Sequence, residues 1–535
     1  MSAPLATTFR VLAETENDAA VRVLIAGLDS PHTAIQEGAL KAVLARGSPA
    51  GGRELIRRLH TLPRRWKEII RETHGRMTGA LRDAILGTDP QMLANGCRAA
   101  VWFGEYDLIP ALLSLLEDPR QQHADLAGET LLEVTERLCE ELAAPRDDSS
   151  RHYPQLVRQH VLASLEASVK RFDHHKRREA VEAFLLLVGR DNVVLRQILQ
   201  DPLHVSFLTT IEVLSSSPRS GVMRLLLNLL DDPQAPSAAL SVAANRTDLK
   251  FVQHLLRKTS REPSATLAQN LKHVDAIAWL RSAGSILAQL DDVAQQGAVQ
   301  FVMGSAAPRL QAFSMIRYLV LHGKPGGRRA AAEALREFRG ADANNVVLSA
   351  LEDPDPLVQA AAVAHLRHRG IPGTLARLVA LVDSPRAAVR AAAREQLEEF
   401  TFGRFLRAFD MLGEEVRRGS GMLVKKIDPR TVPLLEVEMK SRSRTRRLRA
   451  LAIAQTIDAA EQLELLILGL LEDEDHLIRA QAAAALGRCG SDASRRALQS
   501  ALGDRSHTVQ EAAQQSLAEQ AELSKWRATL SDPRD

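Results

Sequence analysis

The chain has 535 residues with a formal net charge of +3; 45% of the residues are apolar but only 4% are aromatic. This composition can form a continuous core, and it suits helix packing through Ala and Leu better than a β-sandwich. Three cysteines, Cys97, Cys139 and Cys489, are too few and too scattered for a disulfide framework or a zinc site, which indicates a reducing compartment. Residues 1–10 lack an apolar core of signal-peptide length, and no window of the chain approaches the ~18 uncharged apolar residues of a membrane span, so we expect a cytoplasmic protein without a transmembrane segment.

Residues 1–145 are predicted to form helical repeats. Residues 17–47 have the form of one unit, with a turn at Ser30-Pro31 and a stop at Gly47. Further helices lead to the turn Leu115–Pro119, which resembles the first turn but precedes a poorer alanine face. Residues 143–150 (AAPRDDSS) are polar, contain Pro and Ser and lack an apolar period, so they are predicted to be a linker.

Residues 151–340 are predicted to be an irregular helical-repeat region. The strongest element is a helix over 153–172, with Val157, Val161, Leu165 and Val169 on one stripe. The adjacent His174 and His175 would point about 100° apart on a helix, which favours a capping or surface role over a shared metal. The glycine-rich residues 323–327 are predicted to form a turn or hinge between two helices.

Residues 341–400 and 432–535 carry a clear internal repeat. Val358 and Val389 hold the same place in two copies 31 residues apart, and Ile478 and Val509 repeat that spacing. Each copy has a leucine-rich helix, an acidic turn and a second helix filled with alanines. Acidic and Ser residues in the turns suit helix N-termini, and the alanines allow close helix approach. We assign capping and inter-repeat pairing to the turn carboxylates and to the arginines that follow them.

These units resemble HEAT repeats, in particular the short bacterial kind also found in phycobilin-lyase-type proteins. The matching pattern, Leu-Leu, Asp, Val/Ile-Arg, Ala-Ala, Leu, begins at Leu28, Leu351, Leu381, Leu471 and Leu502. The resemblance implies an all-α fold, a right-handed α-solenoid of stacked antiparallel helix pairs, because a single pair cannot bury its own apolar face. It implies no activity, since such arrays serve many tasks.

The repeat is interrupted at residues 401–431, which we predict to be an aromatic and Gly/basic insertion. Phenylalanines cluster over 400–409 and are predicted to be core, with a partner-docking patch as the alternative. Gly419-Ser420-Gly421 is predicted to be a flexible loop. It lacks the spacing and the preceding strand of a phosphate-binding loop.

Positive charge concentrates at residues 417–449, which contain eleven Lys or Arg and three Asp or Glu. Such a patch can contact phosphates, an acidic protein segment or an anionic membrane surface. The alternative is a solvated helix face whose arginines pair with acidic turns of neighbouring repeats. The candidate contact residues are Arg417, Arg418, Lys425, Lys426, Arg442, Arg444, Arg446, Arg447 and Arg449.

The sequence lacks the zinc-protease, nucleophile-elbow, dinucleotide-binding and kinase motifs, so we predict no catalytic, cofactor or metal site. The leading hypothesis is a non-enzymatic scaffold that binds a protein partner along a concave surface. The alternative is binding of nucleic acid or another polyanion through the basic residues, although few aromatic residues are present there for base stacking. A more distant alternative, suggested only by the repeat type, is a bilin lyase or isomerase.

Overall fold

A computed structural model describes residues 3–73, 75–120, 122–144, 154–260 and 263–530. Within these ranges the regular structure is helical and contains no strand. The chain divides into two compact units, residues 1–315 (unit 1) and residues 316–535 (unit 2). Residues 145–150 of the predicted linker lie outside the described residues. The prediction of an all-α solenoid is confirmed, while the hand of its superhelix stays a prediction.

Unit 1 consists of short helices that pack in chain order; for example, Pro90–Phe103 contacts Ala124–Ala143, and Leu249–Thr259 contacts Asp292–Gly304. The predicted helix over 153–172 is α10, and Val161, Leu165 and Val169 are buried as its stripe requires. The helices are α1 (Ala3–Glu14), α2 (Ala19–Leu28), α3 (Thr33–Arg46), α4 (Pro49–Arg57), α5 (Arg64–Glu72), α6 (Thr78–Leu86), α7 (Pro90–Phe103), α8 (Ile109–Glu117), α9 (Ala124–Ala143), α10 (Pro154–Lys170), α11 (Phe172–His175), α12 (Arg178–Leu187), α13 (Val193–Gln200), α14 (Phe207–Ser216), α15 (Ser220–Leu229), α16 (Ser237–Asn245), α17 (Leu249–Thr259), α18 (Ala265–Leu271), α19 (Ala283–Gln289) and α20 (Asp292–Gly304).

The helix α21 (Arg309–His322) contains the boundary at Met315, and unit 2 continues with pairs of helices. The second helices of these pairs stack on one another, as Pro356–Val363 does on Pro325–Ala334 and His476–Leu486 does on Arg444–Thr456. The helices are α22 (Pro325–Ala334), α23 (Ala341–Ala350), α24 (Pro356–Val363), α25 (Thr374–Leu381), α26 (Ala387–Glu395), α27 (Phe402–Ala408), α28 (Glu414–Ile427), α29 (Thr431–Met439), α30 (Arg444–Thr456), α31 (Glu464–Leu470), α32 (His476–Leu486), α33 (Asp492–Ala501) and α34 (His507–Leu530). Short 3₁₀ turns occur at Leu59–Thr61, Tyr106–Leu108, Ala278–Ser282, Leu335–Glu337, Arg367–Arg369, Phe409–Met411 and Glu461–Leu463.

Arginine–aspartate pairs join successive repeats of unit 2 near the N-termini of the second helices. In each pair the arginine lies in the first turn of one second helix, and the aspartate lies in the turn before the next. In the pair from α32, the Arg479 guanidinium meets the Asp504 carboxylate with two bonds of 2.8 and 2.9 Å. Asp504 also accepts the N–H of Ser506 in its own turn. The pairs are Arg328–Asp353, Arg447–Asp473 and Arg479–Asp504, which confirms inter-repeat pairing at these three turns. Arg390, for which the sequence predicted the same role, instead donates to Ser384 O in its own turn at 2.7 Å.

A second set of bonds joins successive repeats at the opposite end of the helices. The last carbonyls of a helix have no donor within that helix, and here a side chain from the next repeat supplies one. Gln520 donates to Leu486 O at 2.9 Å and to Cys489 O at 2.6 Å. Five side chains donate to two carbonyls at the end of the helix two places before their own: Arg46, Arg137, Arg246, Arg369 and Gln520. We call these five side chains the C-terminal staples.

The prediction of a flexible loop at Gly419-Ser420-Gly421 is wrong, because the structure places these residues inside the 14-residue helix α28. The reason is packing. A Cβ at position 421 would lie 2.6 Å from a methyl of Ile457 and 2.8 Å from the ring of Phe405, so Gly421 permits close helix contact. Residues 402–427 therefore form a helix pair, α27 and α28, where the sequence suggested an interruption of the repeat.

The phenylalanine cluster lies in the core of this pair, as predicted. Phe402, Phe405 and Phe409 are at most 5% exposed, and Phe400 packs partly buried against the same core. The rings of Phe405 and Phe409 meet edge to face at 5.6 Å. These contacts join α27 and α28 to the rest of unit 2 through a shared apolar core that also includes α30 and α32.

Candidate binding groove

The arginines of α30 bind acidic side chains of adjacent elements. Arg444 pairs with Asp475 and Arg447 with Asp473, both in the turn before α32. Arg446 donates two bonds of 2.6 and 2.7 Å to Glu438 at the end of α29. The Arg446 guanidinium lowers the pKa of the Glu438 carboxyl below its usual range.

The basic residues of α28 also contact neighbouring groups. Lys426 forms an ion pair with Asp383 in the turn before α26, and Lys425 donates to the carbonyl of Asp458. Arg417 donates to the carbonyls of Phe409 (2.7 Å) and Asp410 (3.2 Å), and its guanidinium lies over the Phe409 ring. These contacts hold the three side chains against the protein surface.

Only two of the nine predicted contact residues, Arg418 and Arg442, have exposed side chains for which the described residues provide no hydrogen bond or ion pair. The other seven bind a carboxylate or a carbonyl of the protein. The predicted anionic contact at these nine residues therefore stays a prediction. Three of them, Lys426, Arg444 and Arg447, pair with aspartates in the turns of neighbouring repeats, as the alternative expected.

Two of the predicted residues, Arg417 and Arg449, line a groove on the exposed side of three stacked helices, α30, α32 and α34. The groove has a volume of about 640 Å³. Its full lining is Phe409, Asp410, Arg417, Thr445, Leu448, Arg449, Ala452, Leu477, Ala480, Gln481, Ala484, Thr508 and Ala512. We call it the C-terminal groove.

The floor of the C-terminal groove is formed by small side chains from three consecutive repeats. Ala452, Ala480, Ala484 and Ala512 supply it, and Leu477, which is 38% exposed, stands at its side. Ala452, Ala484 and Ala512 are half-buried and Ala480 is buried, while Ala482, Ala483 and Ala485 on the opposite side of α32 are fully buried. The floor is therefore a partly accessible apolar surface, and among the described residues no element of unit 2 covers it.

The charged residues of the groove lie together at the end formed by α28 and by the turn after α27. Arg449 lies 3.4 Å from the Asp410 carboxylate and 3.4 Å from the carbonyl of Leu406. The Asp410 side chain is 70% exposed. Because the lining holds two arginines and one aspartate, this end carries a formal charge of +1, and the rest of the lining is uncharged.

Sequence reasoning identified the arginines of the groove but missed its floor. We assigned all the alanines to helix packing. Ala484 is a small residue beyond the buried face of α32, which already contains Ala480, Ala482, Ala483 and Ala485. That excess of small residues was the available signal for an open surface.

Other candidate residues have structural roles. Both ring nitrogens of His175 engage the backbone, Nε2 with Ser168 O at 3.1 Å and Nδ1 with the N–H of Arg177 at 3.0 Å. The predicted turn at 323–327 separates α21 from α22, although α22 already begins at Pro325.

Across the described residues, no group of three or more His, Cys, Asp or Glu side chains is placed to hold a metal ion. No described helix has the length and apolar composition needed to cross a membrane.

Comparisons with known proteins identify the repeat class. The HEAT-repeat family model matches residues 316–398 and 431–518, which include most of the repeats expected from the sequence. A search of curated proteins gave no match.

Several solved helical structures are similar at low identity. One, from work on the interaction between cadherin and beta-catenin, is 14% identical, with a TM-score of 0.38 over 94% of this chain and 99% of that chain. A karyopherin bound to the C-terminus of a protein phosphatase is 10% identical, with a TM-score of 0.26 over 98% of this chain and 77% of that one. Human deoxyhypusine hydroxylase is 15% identical, with a TM-score of 0.18 over 51% and 96%. TM-scores this low assign no function to the chain.

Proposed function

Because residues 316–398 and 431–518 are HEAT repeats, we propose that the protein is a cytoplasmic, non-enzymatic scaffold that binds a segment of another protein. The binding surface is the C-terminal groove. Three buried free thiols, Cys97, Cys139 and Cys489, support a reducing compartment.

The observation that carries this proposal is a groove with an apolar floor that crosses three repeats. Clefts lined mainly by apolar side chains with a few polar groups are typical binding sites, and stacked repeats create extended surfaces of this kind. The four floor alanines and Leu477 come from equivalent faces of α30, α32 and α34. Polyanion binding has less support, because seven of the nine basic candidates already bind groups of the protein.

Site-specific photo-crosslinking tests the proposal. A photoreactive phenylalanine analogue replaces Leu477 in the groove or, as the control, Leu465, which is 87% exposed on α31 and does not line the groove. Both proteins are irradiated in lysate, and the adducts are identified by mass spectrometry.

We expect a discrete protein adduct from position 477 that is absent from position 465. The adduct should also disappear when Ala484→Arg fills the floor. Identical adducts at both positions, or adducts that survive Ala484→Arg, would contradict binding in the groove. Circular dichroism of each variant establishes that it is folded.

A further inference from the structure

Arg449 has donors that the protein does not use. Its Nη1 atom lies 3.4 Å from both Leu406 O and the Asp410 carboxylate, and the described residues offer Nε and Nη2 no partner. The carboxylate of Asp410 is mostly in solvent. A single exposed ion pair at this distance contributes little to stability, so a better-placed carboxylate can replace it.

Arg417 makes this end of the groove permanently positive. Its guanidinium is held by two backbone carbonyls and by the face of Phe409, and none of these partners carries a negative charge. Asp410 therefore balances only one of the two arginines. An anionic group that enters here meets Arg449 with free donors and Arg417 as a fixed charge nearby.

The remainder of the groove has the opposite character. Beyond the two arginines and Asp410, the lining contains apolar or uncharged side chains, and the floor is alanine. The one aromatic ring, Phe409, is 4% exposed and covered by Arg417, so it offers no surface for stacking a base. Nucleic acids bind through contacts from several cations to phosphates and through stacking on aromatic rings. This lining has only two arginines and no exposed ring.

From this charge distribution, and on the basis of the proposed function, we propose that the occupant is an acidic–apolar polypeptide segment of a partner protein. One carboxylate side chain of the segment bonds to Arg449 in place of Asp410. The adjoining small or medium apolar side chains lie on the alanine floor toward α34. Bonds between guanidinium and carboxylate are among the strong hydrogen bonds of proteins, and they fix the direction in which the segment lies.

A displayed library of random 12-residue peptides is the probe. It is selected on the full chain and counter-selected on Ala484→Arg, whose side chain fills the floor; Leu477→Glu serves as a second blocking variant. We expect the enriched peptides to share an Asp or Glu next to a run of apolar residues. The dissociation constant of a synthesised peptide should rise at least about tenfold in Arg449→Ala, the size of effect expected for a charge-assisted pair.

The matched control is Arg442→Ala, which removes an exposed arginine outside the groove and should leave the dissociation constant unchanged. Asp410→Asn removes the competing carboxylate and should tighten binding. Replacing the acidic residue of the peptide by its amide should weaken binding to the wild-type protein but not to Arg449→Ala.

The outcomes separate this inference from the proposed function. If enriched peptides lack a common acidic residue, or bind Arg449→Ala as tightly as wild type, the acidic–apolar assignment is wrong; if they still lose binding to Ala484→Arg, the groove remains a docking site. If no peptide distinguishes wild type from both blocking variants, the assignment and the groove both fail.

Discussion

The two units share the C-terminal staples that join successive repeats, but they differ in the arginine–aspartate pairs. Both contain C-terminal staples at nearly the same spacing. Arg246 in unit 1 reaches back 32 and 29 residues, whereas Arg369 and Gln520 in unit 2 both reach back 34 and 31. Arginine–aspartate pairs at a constant spacing of 25 or 26 residues occur only in unit 2 among the described residues; the corresponding contact in unit 1, Arg196–Asp232, spans 36.

This difference shows why one unit matches a family model and the other does not. The Arg–Asp pairs reuse the same residue types at the same spacing, so they leave a pattern in the sequence. The staples of unit 1 are all arginines, but they reach back between 29 and 36 residues, so they leave no fixed spacing in the sequence. Unit 1 therefore has a repeated structural contact without a constant sequence spacing, and the comparison can be tested by substitution in each unit.

The largest expected effect is at Gly297 in unit 1, where helix contact depends on a single missing side chain. A Cβ at this position would lie 1.7 Å from the carbonyl oxygen of Leu256, which is backbone that cannot move aside. We expect Gly297→Ala to lower the free energy of unfolding of unit 1 by more than about 3 kcal/mol. Urea unfolding monitored by circular dichroism measures it.

Gly304→Ala in the same helix is the control, because its Cβ would meet only a methyl of Leu271 at 3.5 Å. This substitution should change the unfolding free energy by less than about 1 kcal/mol. Equal effects of the two substitutions would show that α20 does not approach α17 as closely as the structure has it.

Removal of a staple should be costly in both units. Arg246 has a side chain that is 1% exposed, and it donates to Leu214 O and Ser217 O. We expect Arg246→Ala to cost about 3 kcal/mol, because two buried carbonyls lose their donor. Gln520→Ala should cost about 1–2 kcal/mol, since it removes an uncharged donor. Exposed Arg22 provides the control, with Arg22→Ala expected within about 0.5 kcal/mol of wild type.

Hydrogen–deuterium exchange locates these losses. Peptides that cover 207–217 should exchange faster in Arg246→Ala, and peptides that cover 476–489 should exchange faster in Gln520→Ala. An increase confined to the substituted helix, with the preceding repeat unchanged, would refute the view that staples join successive repeats.

The sequence predicted the helical fold and the repeats of unit 2 because alanine-lined second helices and acidic turns are a direct consequence of close stacking. The register of residues 151–340 could not be predicted, since buried contacts there use side chains of several types, among them Asn270, which donates to Leu230 O and Asp232 O. For the groove, sequence analysis identified Arg417 and Arg449 through charge density. It could not separate them from paired neighbours such as Arg446, because pairing depends on the turn each side chain reaches.

Gly419 and Gly421 lie in α28, at the place in unit 2 where the sequence predicted a loop and the structure has a helix. A Cβ at Gly421 would contact Ile457 and Phe405 within 3 Å, whereas a Cβ at Gly419 would meet nothing within 4 Å. We expect Gly421→Ala to destabilise unit 2 by about 1–3 kcal/mol through overpacking. Gly419→Ala should stabilise it by about 0.5–1 kcal/mol, because Ala is the better helix former.

Thermal unfolding of the two variants decides whether α28 is a packed helix. Both substitutions add one methyl group to the same helix, so the difference between them isolates the contact with Ile457 and Phe405. If both variants were stabilised, or neither changed, residues 419–421 would have to be the loop that the sequence suggested.

The smallest effect concerns His365, which links the staple Arg369 to the preceding repeat. Its Nε2 lies 2.9 Å from Ala332 O, and its Nδ1 accepts from Arg369 Nε at 3.0 Å, so the two contacts require the neutral ring with its proton on Nε2. Burial is the main cause that lowers the pKa of His365, to about 4, and the positive charges of Arg369, Arg336 and Arg339 add to it.

The sign of the pH dependence follows from this shift. Above the unfolded pKa of about 6.5 both states hold a neutral imidazole, whereas between 6.5 and 4 only the unfolded chain takes up the proton. Stability contributed by unit 2 should therefore fall as the pH decreases, by at most roughly 1.3 kcal/mol between pH 7.5 and pH 5.5. In His365→Gln the carboxamide can donate to Ala332 O and accept from Arg369 without titrating, so this part of the slope should vanish while stability at pH 7.5 is retained. A variant that keeps the wild-type slope would show that other groups cause the pH dependence, and that the imidazole of His365 does not resist protonation in the folded chain.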